Sequence, residues 1–330
     1  MNRFGINLWN WCAGLSDDCL GKPTRAAELG FTAVELPMTV PTVFPALADE
    51  IRSTGLAVSL CAAMGPGRDL SSEDPAVRSA TMAYLTDCLK AGQALGASVF
   101  CGPLYAGGGK RHWLSPDEKK AEWERAVTGI QALSRIAEDC GITLALEPLN
   151  RYRTSVANTA GQILDMLKDI GRANVGLHYD TYHACLEEKD LLASLKNALE
   201  SGKVFHFHAC ANNRGAPGQG IVPWDSVMDL LVQFGYGGHI TMETFAPHGL
   251  DSSWIDVHEA PELLAATERA EGWLFSQGYT DFRVRLLDGC ARLQFPADQL
   301  SRALAQHDEI VAALKPDYRA VLLDLEARHA

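Results

Sequence analysis

Residues 142–151 read Ile-Thr-Leu-Ala-Leu-Glu-Pro-Leu-Asn-Arg, a short apolar run that ends on an acid and breaks at a proline. Three later stretches share the form: Val175-Gly-Leu-His-Tyr-Asp180, Val204-Phe-His-Phe-His208 and His239-Ile-Thr-Met-Glu243. Each run has strand length, and each is followed by loop residues and a helix-like segment, the alternation of a parallel α/β fold. In a (β/α)8 barrel the C-terminal ends of all strands open on one face. Glu147, Asp180, His208 and Glu243, spaced 28 to 35 residues apart, would therefore meet around one point.

Working outward from these four, eight runs read as strands: Phe4–Asn10, Ala33–Pro37, Ala57–Ala62, Ser98–Gly102, Ile142–Glu147, Val175–Asp180, Val204–His208 and His239–Phe245. Helix-like segments lie between them at Pro23–Leu29, Pro45–Ser53, Pro75–Leu95, Ser115–Asp139, Thr159–Ile170, Asp190–Ser201, Trp224–Phe234 and His258–Ser276. Ser-Pro-Asp-Glu at 115–118 and Asp-Pro at 74–75 are helix-entry signals, and Gly30, Gly96, Gly141 and Gly171 are stop signals. The expected fold is an α/β (β/α)8 TIM barrel over residues 1–276. A helical extension follows over 277–330, with amphipathic patterns at Pro296–Gln306 and Ile310–Arg328 and no further strand of comparable quality. It would pack on the barrel wall or form a subunit interface.

At 330 residues and 47% apolar content the chain can bury one large core. No basic leader precedes an apolar stretch, and no run of 18 apolar residues occurs, so a soluble, cytoplasmic protein is expected. Nine cysteines without a C-x-x-C pair read as reduced thiols. A formal charge of −12 argues against nucleic acid or a membrane surface as partner, since both recruit clustered Lys and Arg.

Three carboxylates and an imidazole suit one borderline-hard divalent ion per subunit, Mn²⁺ before Mg²⁺ or Co²⁺. Each acid alone could instead cap a loop or pair with Arg151 or Arg214. Glu147 and Glu243, ending strands five and eight, could address opposite faces of a ligand between them, one removing a proton and the other returning it. Such a site would stabilise the enediolate between the two steps. His206 and His208 lie two apart and share a face. His208 is taken as the ligand, and His206 as its support or a core residue. Ala106-Gly-Gly-Gly-Lys110-Arg-His-Trp113 is no phosphate loop; it reads as a mobile rim carrying Trp113 to a ligand, or as a plain surface turn. Trp9 and Trp11 offer an apolar wall at the mouth or simple packing, and Cys210 is the one thiol beside the four ligands.

The segments Glu147-Pro-Leu-Asn150-Arg151, Asp180-Thr-Tyr-His183, His208 to Arg214, Pro217-Gly-Gln-Gly220-Ile-Val-Pro223-Trp224 and Met-Glu243 resemble the ketose 3-epimerases, D-tagatose and D-psicose 3-epimerases among them, within the xylose-isomerase-like barrels. The resemblance implies a metal-dependent sugar epimerase that inverts the carbon beside a ketone, as a homo-oligomer, dimer or tetramer. It implies the four residues above as metal ligands, with Glu147 and Glu243 also serving as acid and base. By the same resemblance His183 and Arg214 hold substrate oxygens. Two positions depart from the family pattern. Arg153 stands where a glutamate is usual, and His208-Ala-Cys-Ala-Asn-Asn-Arg214 lacks a second one. Arg153 either receives an anionic group of the substrate or points to solvent. The altered pocket and the tail leave a second expectation open: a metal-dependent lyase acting on 3-keto sugars or glycosides, like the C-glycoside deglycosidases, with a small partner subunit.

Overall fold

The computed structural model describes residues 3–65, 67–110, 113–218, 220–244, 260–280, 282–287 and 290–324. Eight parallel strands close into a barrel in sequence order, and β8 returns to pair with β1. They are β1 Arg3–Asn7, β2 Ala33–Met38, β3 Ala57–Ala62, β4 Val99–Gly102, β5 Thr143–Leu146, β6 Val175–Asp180, β7 Val204–Ala209 and β8 His239–Met242. Every expected strand is present within a few residues. Phe245, at the outer end of the eighth, and residues 258–259, at the start of the last expected barrel helix, lie outside the described residues.

The helices follow their sequence signals: α1 Lys22–Glu28, α2 Pro45–Thr54, α3 Pro75–Ala94, α4 Pro116–Asp139, α5 Ala160–Ile170, α6 Thr181–Glu187, α7 Leu191–Glu200 and α8 Trp224–Gln233. Ser115 and Glu118 close a capping box at the start of α4, as Thr159 and Gln162 do for α5. The short helix α6 was not expected. Asp180 ends β6 and caps α6 at once, its side chain accepting from the backbone of Tyr182 and His183, so no separate loop marks the transition.

Alternation along the strands divides the barrel into two populations. Outward residues such as Val34, Leu36, Leu60, Phe100, Leu144, Tyr179 and Phe207 join the main core beneath the helices. The lumen is small and polar by comparison: Cys61, Ala63, Cys101 and Ala145 meet Trp9 there, beside buried Asn7, Glu35, Ser59, His178, His206, His208 and Thr241. Phe205, half-buried, packs against this group. A bulge between β6 and β7 pairs Val204 with Leu177 and His206 with His178, leaving Phe205 as the extra residue. Its ring lies so close to Gly176 that a Cβ there would sit 2.3 to 2.6 Å from ring carbons.

The chain separates into two compact units, Met1–Asp251 and Ser252–Ala330, where the expected division lay at residue 276. The second unit is not purely helical. It holds α9 Ala260–Ser276, β9 Arg283–Leu287, β10 Cys290–Gln294, α10 Ala297–Ala305, α11 His307–Leu314 and β11 Ala320–Leu323. Strand β10 is central, antiparallel to β9 and parallel to β11, and Leu274, Tyr279, Leu293, Phe295 and Ile310 build a core of its own. The apolar pattern from 310 to 328 is therefore no single helix: α11 stops at Leu314, just before Lys315-Pro316, and an extended strand follows. Among the described residues no helix is long and apolar enough to cross a membrane.

Candidate metal centre

The barrel brings Glu147, Asp180, His208 and Glu243 together at one mouth. All four are buried, and one ligand atom from each lies within 4.8 Å of the others. Glu147 follows β5, its N–H donating to the Gly102 carbonyl; Glu243 follows β8 in the same way, donating to Ala209. His208 stands in β7 level with Asp180. Its Nδ1 is 3.3 Å from Glu243 Oε2 and 3.8 Å from Asp180 Oδ2.

The electrostatics of this group ask for a cation. Burial, reinforced by the neighbouring charges of Asp180 and Glu243, pushes the Glu147 carboxyl well above the usual range. Burial would raise Asp180 too, but Arg214 and His208 overrule it and hold its carboxyl well down. For His208, burial is outweighed by Glu243 and Glu35, which draw its pKa well above the ordinary value. Yet Nδ1 of His208 is fully buried and makes no aligned hydrogen bond among the described residues. An orphaned imidazole nitrogen facing three carboxylates fits a hard-to-borderline divalent ion with mixed O and N donors.

Arg214 reaches the same carboxylates, with Nη1 3.0 Å from Asp180 Oδ2 and Nη2 2.7 Å from Glu243 Oε2. Its guanidinium lies 4.6 Å from the centre of the Tyr182 ring. The tight turn at 211–215 that aims it inward holds Arg214 at φ 62°, the one left-handed non-glycine conformation among the described residues. His183, on α6, accepts from the Asn150 N–H at Nδ1, 2.9 Å away. Burial lowers its pKa to about 3, so the ring is neutral and its proton sits on Nε2, 3.7 Å from Glu147 Oε1. His183 thus presents a donor to the mouth.

Other expected contacts are placed differently. Arg153 is half-buried; its guanidinium lies beside Gly108 and its charge helps depress the pKa of His183, which sets it at the edge of the group. Trp113 is not brought to the cluster: it is 84% exposed. Trp9 faces the lumen, whereas Trp11 packs against the main core. Cys210 is buried, with its thiol toward the Gly215 carbonyl.

The glycine run at 107–109 is tied down rather than free. Gly108 donates to Met64 and Gly109 to Arg153, and a Cβ on Gly107 would lie 2.8 Å from the Arg68 carbonyl. Lys110 then pins the segment, reaching Asp69 at 2.9 Å, Glu122 at 2.5 Å and Ser71 at 2.7 Å.

Sequence reasoning missed Glu35, the buried acid at the centre of β2. Its signal was a lone carboxylate in an otherwise apolar strand, at the parity that faces the lumen. It meets His208 Nε2 at 2.6 Å and His206 Nε2 at 2.7 Å.

Comparison with known proteins agrees with this architecture. Residues 23–274 match the model of the xylose isomerase-like TIM barrel family. D-psicose 3-epimerase of Ruminiclostridium cellulolyticum is 31% identical over 68% of this chain and 78% of its own length. A ketose 3-epimerase of Arthrobacter globiformis is 33% identical over 67% of this chain and 76% of its own. Among solved structures, an L-ribulose 3-epimerase superposes with a TM-score of 0.70 at 29% identity, covering 79% of this chain and 86% of the other. The barrel and these relatives place the chain in the xylose isomerase-like TIM barrel family, among the ketose 3-epimerases, as an enzyme that epimerises a sugar.

Proposed function

We propose that the protein is a divalent-metal-dependent epimerase acting on the carbon beside the ketone of a ketose. The observation that carries this reading is that two carboxylates, Glu147 after β5 and Glu243 after β8, three strands apart in the barrel, meet in one buried cluster. Glu147, Asp180, His208 and Glu243 would hold the ion, with Mn²⁺ placed before Mg²⁺ or Co²⁺ for a site of three carboxylates and one imidazole. When bound, the ion polarises a carbonyl and stabilises negative charge on the neighbouring oxygen.

The chain's own groups supply the rest. One glutamate removes the proton next to the carbonyl, giving an enediolate, and the other returns a proton to the opposite face. Glu147, already disposed to carry a proton by its burial and its acidic neighbours, suits either half of that exchange. His183 Nε2–H and Arg214 hold sugar oxygens, and Arg153 at the edge meets the distal end of the substrate. Trp113 would contribute only by a movement of its segment. Small free sugars are the expected partners, with assembly into a homo-oligomer. The lyase alternative, with its small partner subunit, draws no support from the relatives described.

The test is incubation of the metal-loaded protein in D₂O with free ketoses, phosphorylated ketoses and 3-keto glycosides, followed by metal removal and proton NMR. Deuterium beside the carbonyl together with a new epimer, both absent in Glu243→Gln, is the expected result. Release of an aglycone without an epimer would establish the lyase instead, and no exchange with any substrate would sink the proposed chemistry.

A further inference from the structure

Glu35 meets five side chains inside the lumen. Its Oε1 accepts from Asn7 Nδ2 at 2.8 Å and lies 2.6 Å from His208 Nε2. Its Oε2 accepts from Ser59 Oγ at 2.8 Å, faces His206 Nε2 at 2.7 Å and receives the Cys101 thiol at 3.4 Å. These partners come from β1, β3, β4 and β7, so a single acid on β2 ties the barrel across its interior. The carboxylate is wholly buried.

A carboxyl oxygen 2.6 Å from His208 Nε2 has a definite consequence for the other ring nitrogen. With the Nε2 proton committed to Glu35, Nδ1 is the atom left to offer a lone pair, and Nδ1 is the atom that faces Asp180 and Glu243. Rotation of the ring is also obstructed: His178 stands edge-on to it, centroids 4.0 Å apart at 81°. Acids in this relation to a ligand histidine fix its tautomer and orientation.

We infer that Glu35 is the positioning residue of the metal centre, shared between His206 and His208 so that His208 meets the ion through Nδ1. The inference rests on the metal-site reading above. A space-filling role would make a different prediction, because glutamine fills the same volume. The Glu35→Gln change leaves one acceptor oxygen and turns an amide NH₂ toward one of the two rings, so a carboxylate no longer faces both histidines.

The experiment is Mn²⁺ titration of wild type and Glu35→Gln by calorimetry, with the thermal midpoint of each metal-free protein as a folding control. Glu35→Gln is expected to bind Mn²⁺ about 10- to 100-fold more weakly, with the fold retained. Equal affinity in the two proteins would overturn the inference. Should the variant not fold, the wild type decides: ¹⁵N spectra of the histidine rings with Mg²⁺ as a diamagnetic ion must show His208 protonated at Nε2 and perturbed by the ion at Nδ1. The opposite tautomer overturns the inference. Absence of any Mn²⁺ binding by the wild type would count against the metal-site reading itself, whereas normal wild-type binding that Glu35→Gln leaves unchanged counts against Glu35 alone.

Discussion

Arg214 holds Glu243 by a 2.7 Å hydrogen bond from Nη2 to Oε2, and its other terminal nitrogen holds Asp180. Two of the four candidate ligands are thus already engaged by a fixed cation. A divalent ion and the guanidinium must share those carboxylates, and the guanidinium contributes in opposite directions to metal affinity and to substrate binding. Arg214→Met should therefore bind Mn²⁺ at least as tightly as wild type while losing about ten- to a hundredfold in kcat/KM, the equivalent of a charge-assisted hydrogen bond of ~1.5–3 kcal/mol. Parallel metal titrations and deuterium-exchange rates check both signs. A parallel loss of metal affinity would contradict the proposed competition.

Metal loading should release protons. His208 and Glu147 both have raised pKa values in the metal-free protein, so each favours its protonated form there, and an ion at the same atoms displaces those protons. The apparent affinity for Mn²⁺ is expected to rise with pH and to go on rising above the ordinary histidine value of about 6.5. Calorimetry in two buffers of different ionisation enthalpy counts the protons released. A pH-independent affinity would be inconsistent with this account.

Lys110 supports the glycine segment and not the chemistry. Its side chain is 15% exposed, with the ammonium between Asp69 and Glu122. Lys110→Met leaves two largely buried carboxylates facing each other without a cation, a change that costs ~3–5 kcal/mol when a buried pair is broken. Urea unfolding should show the loss, while Mn²⁺ affinity of the folded variant stays within about twofold, since ~0.4 kcal/mol is the most that remote sites usually share.

Gly176 and the Phe205 ring approach each other closely near the starts of β6 and β7. A methyl group on residue 176 would collide with the Phe205 ring. Gly176→Ala is expected to destabilise by ~1–3 kcal/mol, the usual cost of overpacking, and Phe205→Leu added to it should recover part of that loss. Additive effects in the double variant would argue against direct contact.

The strand ends were legible because their information is local. Ala57–Ala62 and Val175–Asp180 have the residue types and punctuation of strands, and their bounds coincide with β3 and β6. A ligand at such an end can be read from one letter in one short window. Glu35 could not be found in this way, because its partner His208 lies 173 positions along the chain and only closure of the barrel brings them together. The second unit failed for a different reason. β9 and β10 mix Arg with apolar residues in Arg283-Val-Arg-Leu-Leu and Cys290-Ala-Arg-Leu-Gln, which weakens the apolar runs on which strand recognition depends. The Asp288-Gly289 pair between them, a strong hairpin signal, would have identified them. Helix α6 was hidden because Asp180 serves two elements at once.

The division of each strand into a lumen side and a helix side separates what keeps the barrel standing from what the barrel does. Leu36 and Glu35 are adjacent in the chain, as are Phe207 and His208, yet one of each pair belongs to the main core and the other to the polar interior. A catalogue of tolerated substitutions along β2 or β7 should accordingly alternate, one position answering to volume and the next to proton geometry. Such a scaffold can be retuned for a new sugar one parity at a time, with its foundations left in place.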